Sequence, residues 1–244
     1  MDRVIMAALL GAVAGVVGTG VGGLVAAASR EPDRRAFATL VGFSGGMMFA
    51  VTVFDLVPEA LAADPVAAAV GAVVGAGFIV ATDLIWTAGA HGGDVHGGTR
   101  YIRAGTVVGL GIAAHNFAEG LAVGSGYVAA SRLGMEISLI IGIHDVPEGI
   151  AMATMLRLGR VRRLAVIAAA SATGLPMAAG ALLGALIGEI SRAGLAFSLG
   201  CAGGAMLSVT FRLYPEGASL RRRAAMVSGT VAGLAAGAFL VASL

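Results

Sequence analysis

Two short stretches carry the residues most able to do chemistry: HNFAEG at 115–120 and HDVPEG at 144–149. Each sets a histidine four residues before a glutamate, a spacing that puts both side chains on one face of a helix. His115 and Glu119 form one such pair, His144 and Glu148 the other, and each histidine is followed by a further oxygen donor, Asn116 or Asp145. Imidazole with carboxylate suits zinc, iron, nickel or manganese, and no thiolate stands at these positions. A site of this kind binds metal better as pH rises, because its histidines must be neutral.

The elements that hold these residues are membrane spans. Of 244 residues, 58% are hydrophobic and only 12% charged, and the mean hydropathy is +0.92. Long uncharged stretches separated by short polar ones point to the bilayer as solvent. Eight segments reach the roughly 20 apolar residues of a span: 4–28, 36–60, 65–89, 104–130, 134–156, 161–188, 193–214 and 223–243. The fold expected is therefore an all-α integral membrane protein, with residues 1–244 as one polytopic domain. Asp2 and Arg3 leave the start without a basic leader region, so the first apolar run reads as a span and not a signal peptide. The 39 glycines suit helices that approach closely in lipid.

Composition also excludes several classes. All 16 basic residues are arginine, spread through short loops, which argues against a nucleic-acid partner. The absence of lysine excludes Schiff-base chemistry, a retinal pigment included. The single cysteine, Cys201, excludes an internal disulfide. With both termini outside, 13 arginines fall on the inner side and Arg3, Arg132 and Arg192 on the outer side, a strong positive-inside bias. Trp86, Tyr101, Tyr127 and Tyr214 fall near span ends, as an aromatic belt requires.

The chain repeats itself. HNFAEGLAVG (115–124) matches HDVPEGIAMA (144–153), on spans 4 and 5; GGMMFAVTVFDLVPEA (45–60) resembles GGAMLSVTFRLYPEGA (203–218), on spans 2 and 7. Each pair runs antiparallel, which predicts inverted repeats, spans 1–3 with 6–8 around central spans 4 and 5, a transporter architecture. His115 and His144 lie 11 and 10 residues into their spans, roughly 15 Å deep and near the midplane. An ionised group there costs roughly 3 kcal/mol on insertion scales, and a bound cation is the economical way to offset it. The alternative is a hydrogen-bonded network that only fixes helix packing. Pro147 removes a helical hydrogen bond and leaves the Ile143 carbonyl free to face a cavity; Ala118 holds the matching place in span 4.

These motifs resemble the HNxPEG and HxxPEG signatures of the ZIP family of zinc/iron transporters, in particular its bacterial and archaeal GufA-like branch. The resemblance covers nearly the whole chain, with eight spans, both termini outside and a PEA-type motif in spans 2 and 7. It implies a two-metal centre in the transport path: His115, Glu119, His144 and Glu148 as the primary site, and Asn116 and Asp145 with the two bridging glutamates as the second. Related sequences often carry a glutamate before the span 6 proline. Here Leu175 precedes Pro176, which leaves the second site short of an anion. Ala118 in place of proline is a milder departure.

Other polar residues are weaker candidates. Asp55 and Glu59 near the outer end of span 2, and Glu216 at the inner end of span 7, could attract cations at the two mouths or simply cap helix ends. His91 and His96, with Asp94 in HGGDVHGG, form a short cytoplasmic His tract that could hold metal weakly or act as a linker. Met47, Met48 and Met206 fit core packing better than a soft path. Ser44, Ser171 and Thr173 fit bonds between helices.

The function expected is uptake toward the cytoplasm of divalent transition metals, zinc first and then iron, manganese, cadmium or nickel, by alternating access. The metal is cargo and no cofactor is required. The expected setting is the cell (plasma or inner) membrane, with lipid, the ion and, as one arrangement, a second copy as partners. An intramembrane zinc-dependent hydrolase is the rival, although HExxH is absent and a duplicated motif offers symmetry where hydrolysis needs distinct acid and base. A di-iron bundle would use ExxH spacing, the reverse of the order here.

Overall fold

The computed structural model describes residues 2–28, 34–88, 98–188, 191–212 and 220–243, and every ordered element is helical. His91, His96, Asp94 and Glu216 lie outside the described residues. In chain order the helices are α1 (Asp2–Ala28), α2 (Arg34–Val51), a π-helical turn (Thr52–Leu56), α3 (Val57–Ala63), α4 (Pro65–Ala88), α5 (Gly98–Ala129), α6 (Ser131–Leu158), α7 (Arg163–Thr173), α8 (Leu175–Gly188), α9 (Arg192–Arg212) and α10 (Leu220–Ser243).

Among the described residues, seven helices are long and apolar enough to cross a membrane: Asp2–Ala28, Ala38–Ala63, Tyr101–Ala129, Ser131–Leu158, Arg163–Ile187, Arg192–Phe211 and Arg222–Ser243. The predicted third span corresponds to α4, whose described apolar stretch, Pro65–Ala81, is shorter. The protein is turned inside out relative to a soluble domain. Its outer face shows Val13, Val66, Val73, Leu164, Phe211 and Phe239, each more than half exposed, while His115, Asn116, Glu119, His144 and Asp145 are fully buried. That arrangement suits lipid as solvent, where polar groups must find partners inside.

Two predicted spans are locally irregular, each at a proline. Pro58 has no N–H, and its ring would collide with the carbonyl four residues back. The helix widens there into the π-turn Thr52–Leu56 before resuming as α3. Span 6 divides at Gly174 into α7 and α8. Pro176 cannot donate to Ala172, and Met177 N–H closes a tighter bond to Gly174 O at 3.1 Å. By contrast α6 runs unbroken through Pro147.

The connections set the directions. Asp64 caps α4, its Oδ1 accepting from Val66 N–H and Ala67 N–H at 3.0 Å each, so α4 turns straight back along α3. Ala130, in extended conformation, alone separates α5 from α6. A one-residue joint forces these helices antiparallel. His115 lies 15 residues before it and His144 14 after, so both sit about 21–22 Å from the joint and at nearly the same depth.

Packing divides the helices into two groups: α1, α5, α6, α7 and α8, and α2, α3, α4, α9 and α10. The most extensive pairings fall within groups, α2 with α10, α5 with α8, α4 with α9 and α1 with α6, and the seam between groups is chiefly α5 with α9 and α2 with α6. Ala118 lies in that seam, packed with Ile79 and Ala205. The close pairings depend on glycines spaced four apart. Gly42 and Gly46 meet the backbone of Met226 and Thr230, and reciprocally Gly229 and Gly233 meet that of Thr39 and Phe43. Backbones this close gain dispersion contact that larger side chains forbid.

A leucine at Gly233 would collide with the Phe43 backbone. Gly233→Leu should cost about 1–3 kcal/mol by overpacking and lower the apparent melting temperature in detergent by roughly 5 °C. An unchanged melt, read by size-exclusion after heating, would show that α2 and α10 are not in backbone contact.

Candidate metal centre

The two motif helices bring their polar faces together. His115, Asn116 and Glu119 on α5, and His144 and Asp145 on α6, are wholly buried, and Glu148 is 5% exposed. The pairs then cross. His115 Nε2 lies 2.7 Å from Glu148 Oε2, and His144 Nε2 lies 3.0 Å from Glu119 Oε1. Each histidine thus bonds the glutamate of the other motif, not the one four residues along its own helix. This follows from facing helices at equal depth, where the nearest opposite group is one turn away on the partner.

Several oxygens remain without a hydrogen-bond partner among the described residues: Glu119 Oε2, both Asp145 carboxylate oxygens and Asn116 Oδ1. Asp145 Oδ1 comes only to 3.7 Å from His144 Nε2. Unpartnered buried carboxylate oxygens are costly, and they converge. One ligand atom each from His115, Glu119 and Asp145 lies within 4.8 Å of the others, a spread that a small adjustment around one ion would close. The ion pairs at the site involve histidine alone. With neutral imidazoles, the three carboxylates leave negative charge that a divalent cation would offset.

The glycine that ends each motif has a shared task. Gly149 lies against the Thr19 backbone of α1, and Gly120 against the Met177 backbone of α8. A Cβ at either place would push away the helix that closes behind the neighbouring glutamate. Gly18 of α1 likewise lies against Asp145, where an added Cβ would come within 2.7 Å of its side chain. The site is therefore walled by backbone on both flanks.

Two contributions come from outside the motifs. Ser44 Oγ of α2 lies 3.5 Å from Glu148 Oε1, a link from the second helix group to the site. Asn116 Nδ2 donates to Thr173 O at 3.0 Å, beside the break in span 6. The Thr173 hydroxyl is engaged elsewhere, with Ala170 O at 2.7 Å. Pro176 was the available signal for the break beside this carbonyl, since it removes the N–H that Ala172 would take, and Met177 N–H, the helical donor for Thr173 O, turns to Gly174 O. Leu175 is 58% exposed and stands apart from the buried set, so the group beside Asn116 is the Thr173 carbonyl.

The remaining candidates lie away from the six. Asp55, on the π-turn, is half-buried and Glu59 exposed. Asp55 interacts electrostatically with Glu59 and with Glu136 of α6, an acidic residue that sequence pattern did not single out, which pairs with Arg132 at 2.5 Å. Met48 and Met206 are fully buried in the main core.

No protein-family model matches the chain. Individual proteins do. Zinc transporter ZIPB of Bordetella bronchiseptica is 33% identical over 259 residues, covering 97% of this chain and 81% of its own length. Zinc transporter GufA of Myxococcus xanthus is 34% identical over 212 residues, covering 81% and 83%. Zinc transporter ZupT of Corynebacterium efficiens is 31% identical over 239 residues, covering 89% of each. Similarity of this extent, on a helical membrane scaffold with paired His/Glu motifs buried at its centre, means that the chain belongs to the ZIP family.

Proposed function

We propose that the protein carries divalent transition-metal ions, zinc foremost, across the cell membrane toward the cytoplasm. Iron, manganese, cadmium and nickel fit the same donors. The observation that carries this is the crossed pairing of two buried histidines with two buried glutamates, beside carboxylate oxygens with no hydrogen-bond partner among the described residues. His115, Glu119, His144 and Glu148 hold the ion, with Asp145 and Asn116 contributing oxygens. The relatives named as zinc transporters favour zinc as cargo. Nothing among them favours a hydrolase, and no differentiated acid and base stand at the site.

The whole chain acts as one transport domain of eight spans, with α4 as the third and α7 and α8 together as the sixth. Both termini lie outside, a direction supported by the arginine bias. Inverted repeats are supported by the helix pairings. Exchanging spans 1–3 with 6–8, and 4 with 5, turns the α1–α6 pairing into α8–α5 and the α2–α10 pairing into α9–α4, and all four are extensive. All six polar positions would then move with the α1, α5–α8 group as it shifts against the other helices. Asp55, Glu59 and Glu136 would draw cations to the outer mouth.

Glu119→Ala with Glu148→Ala should reduce radiozinc uptake into proteoliposomes by at least about a hundredfold, since both charge and crossed bonds are lost. Full transport by that double variant would remove these residues from the site. Ion binding to purified protein should tighten by about tenfold or more between pH 5 and pH 7.5, because each imidazole must lose its proton to ligate. Titration with cobalt(II), followed by its visible absorption, checks this; affinity independent of pH would take the histidines out of the coordination.

A further inference from the structure

Asn116 occupies an unusual position between the ion site and the irregular span. It is fully buried, its Oδ1 has no hydrogen-bond partner among the described residues, and its Nδ2 donates to Thr173 O at 3.0 Å. Thr173 is the last residue of α7, and Gly174 separates it from α8. At this junction the regular four-residue bonding gives way to tighter bonds, Gly174 N–H to Ser171 O and Met177 N–H to Gly174 O, each at 3.1 Å. Pro176 lacks the N–H that Ala172 would need, and Met177 N–H is turned to Gly174 O. The break also lies in a tight place, since Gly174 meets the Gly15 backbone of α1 and leaves no room for a side chain. An amide on α5 thus fastens the junction of α7 and α8 from one side while α1 presses from the other.

From this geometry we infer that Asn116 is a positioning residue that couples ion occupancy to the α7–α8 junction, its Oδ1 toward the ion and its Nδ2 holding the Thr173 carbonyl. The inference rests on the proposed ion site. Its chemistry is that of any amide bound through oxygen: a cation at Oδ1 draws electron density from the nitrogen and makes each N–H a stronger donor. Ion binding should then tighten the hold on Thr173 O, and ion release should loosen it. A break in a span is where a helix changes shape at least cost, so the junction is suited to register whether the ion is present.

Hydrogen exchange at residues 171–178, measured with and without zinc in purified protein, tests the link together with uptake kinetics. In the native chain zinc should slow exchange there by about tenfold. Asn116→Asp keeps an oxygen for the ion but sets an acceptor against the Thr173 carbonyl. It should bind zinc as tightly as the native chain or more so, lose the zinc-dependent protection, and show a maximal uptake rate lowered by about tenfold with little change in half-saturation. Pro176→Ala, which returns an N–H and lets the helix capture its own carbonyls, should show the same loss of protection and rate with unaltered zinc affinity. If Asn116→Asp or Pro176→Ala retains both zinc-dependent protection and native rate, the link is wrong and the ion site stands. If the native chain binds no zinc, the ion site and the link fall together.

Discussion

The constraint on which the structure turns is the cost of holding carboxylates where no water reaches. Glu119, Asp145 and Glu148 sit on adjoining helices, their ion pairs among the described residues are with histidine, and Glu119 and Asp145 are wholly buried. Histidine supplies one bond to each glutamate, which is not enough for Glu119 Oε2 or for Asp145. A chain can tolerate such a cluster if a cation completes it part of the time. The rest of the architecture serves to keep the cluster intact: the single-residue joint at Ala130 equalises depth, and Gly120 and Gly149 admit α8 and α1 as backbone walls.

The same constraint explains why the cluster lies mostly within one group of helices. A site built half on each side of a moving seam would lose its ligands whenever the seam slipped. Here all six residues belong to α5 and α6, which pack with α1, α7 and α8, and from α2 the Ser44 hydroxyl reaches in at the long distance of 3.5 Å. Such a bond is weak enough to break and reform. Across the seam, small side chains meet at Ala118 and Ala205, while larger ones, Met48, Leu199 and Met206 against Ile137, Ile140 and Ile141, share one buried core.

Much of this was legible in the sequence because it depends on residue type and spacing. Hydrophobic length pointed to helical membrane spans, of which seven are long enough among the described residues, and the four-residue step between His115 and Glu119, and between His144 and Glu148, put each pair on one face. What spacing could not show was which glutamate each histidine would take. That choice depends on the distance between helices, which glycines on α1 and α8 set. The two irregular turns were only half visible. Pro58 and Pro176 mark them, yet Pro147 sits in an unbroken helix, so proline alone does not say whether a helix widens, breaks or continues. The Thr173 contribution was hidden for a further reason: a backbone carbonyl carries no residue identity, so attention to the type of residue 175 looked for a side chain where the structure uses main chain.

The account's central claim is that one ion is held by both motifs at once. X-ray absorption at the zinc edge, on protein loaded with one equivalent and on His115→Ala with His144→Ala, tests it most directly. The native spectrum should show nitrogen and oxygen neighbours at about 2.0–2.1 Å, no sulfur, and the outer-shell scattering of two imidazoles; the double variant should lose that imidazole signal. A native spectrum with sulfur ligands, or with no imidazole scattering, would contradict the claim.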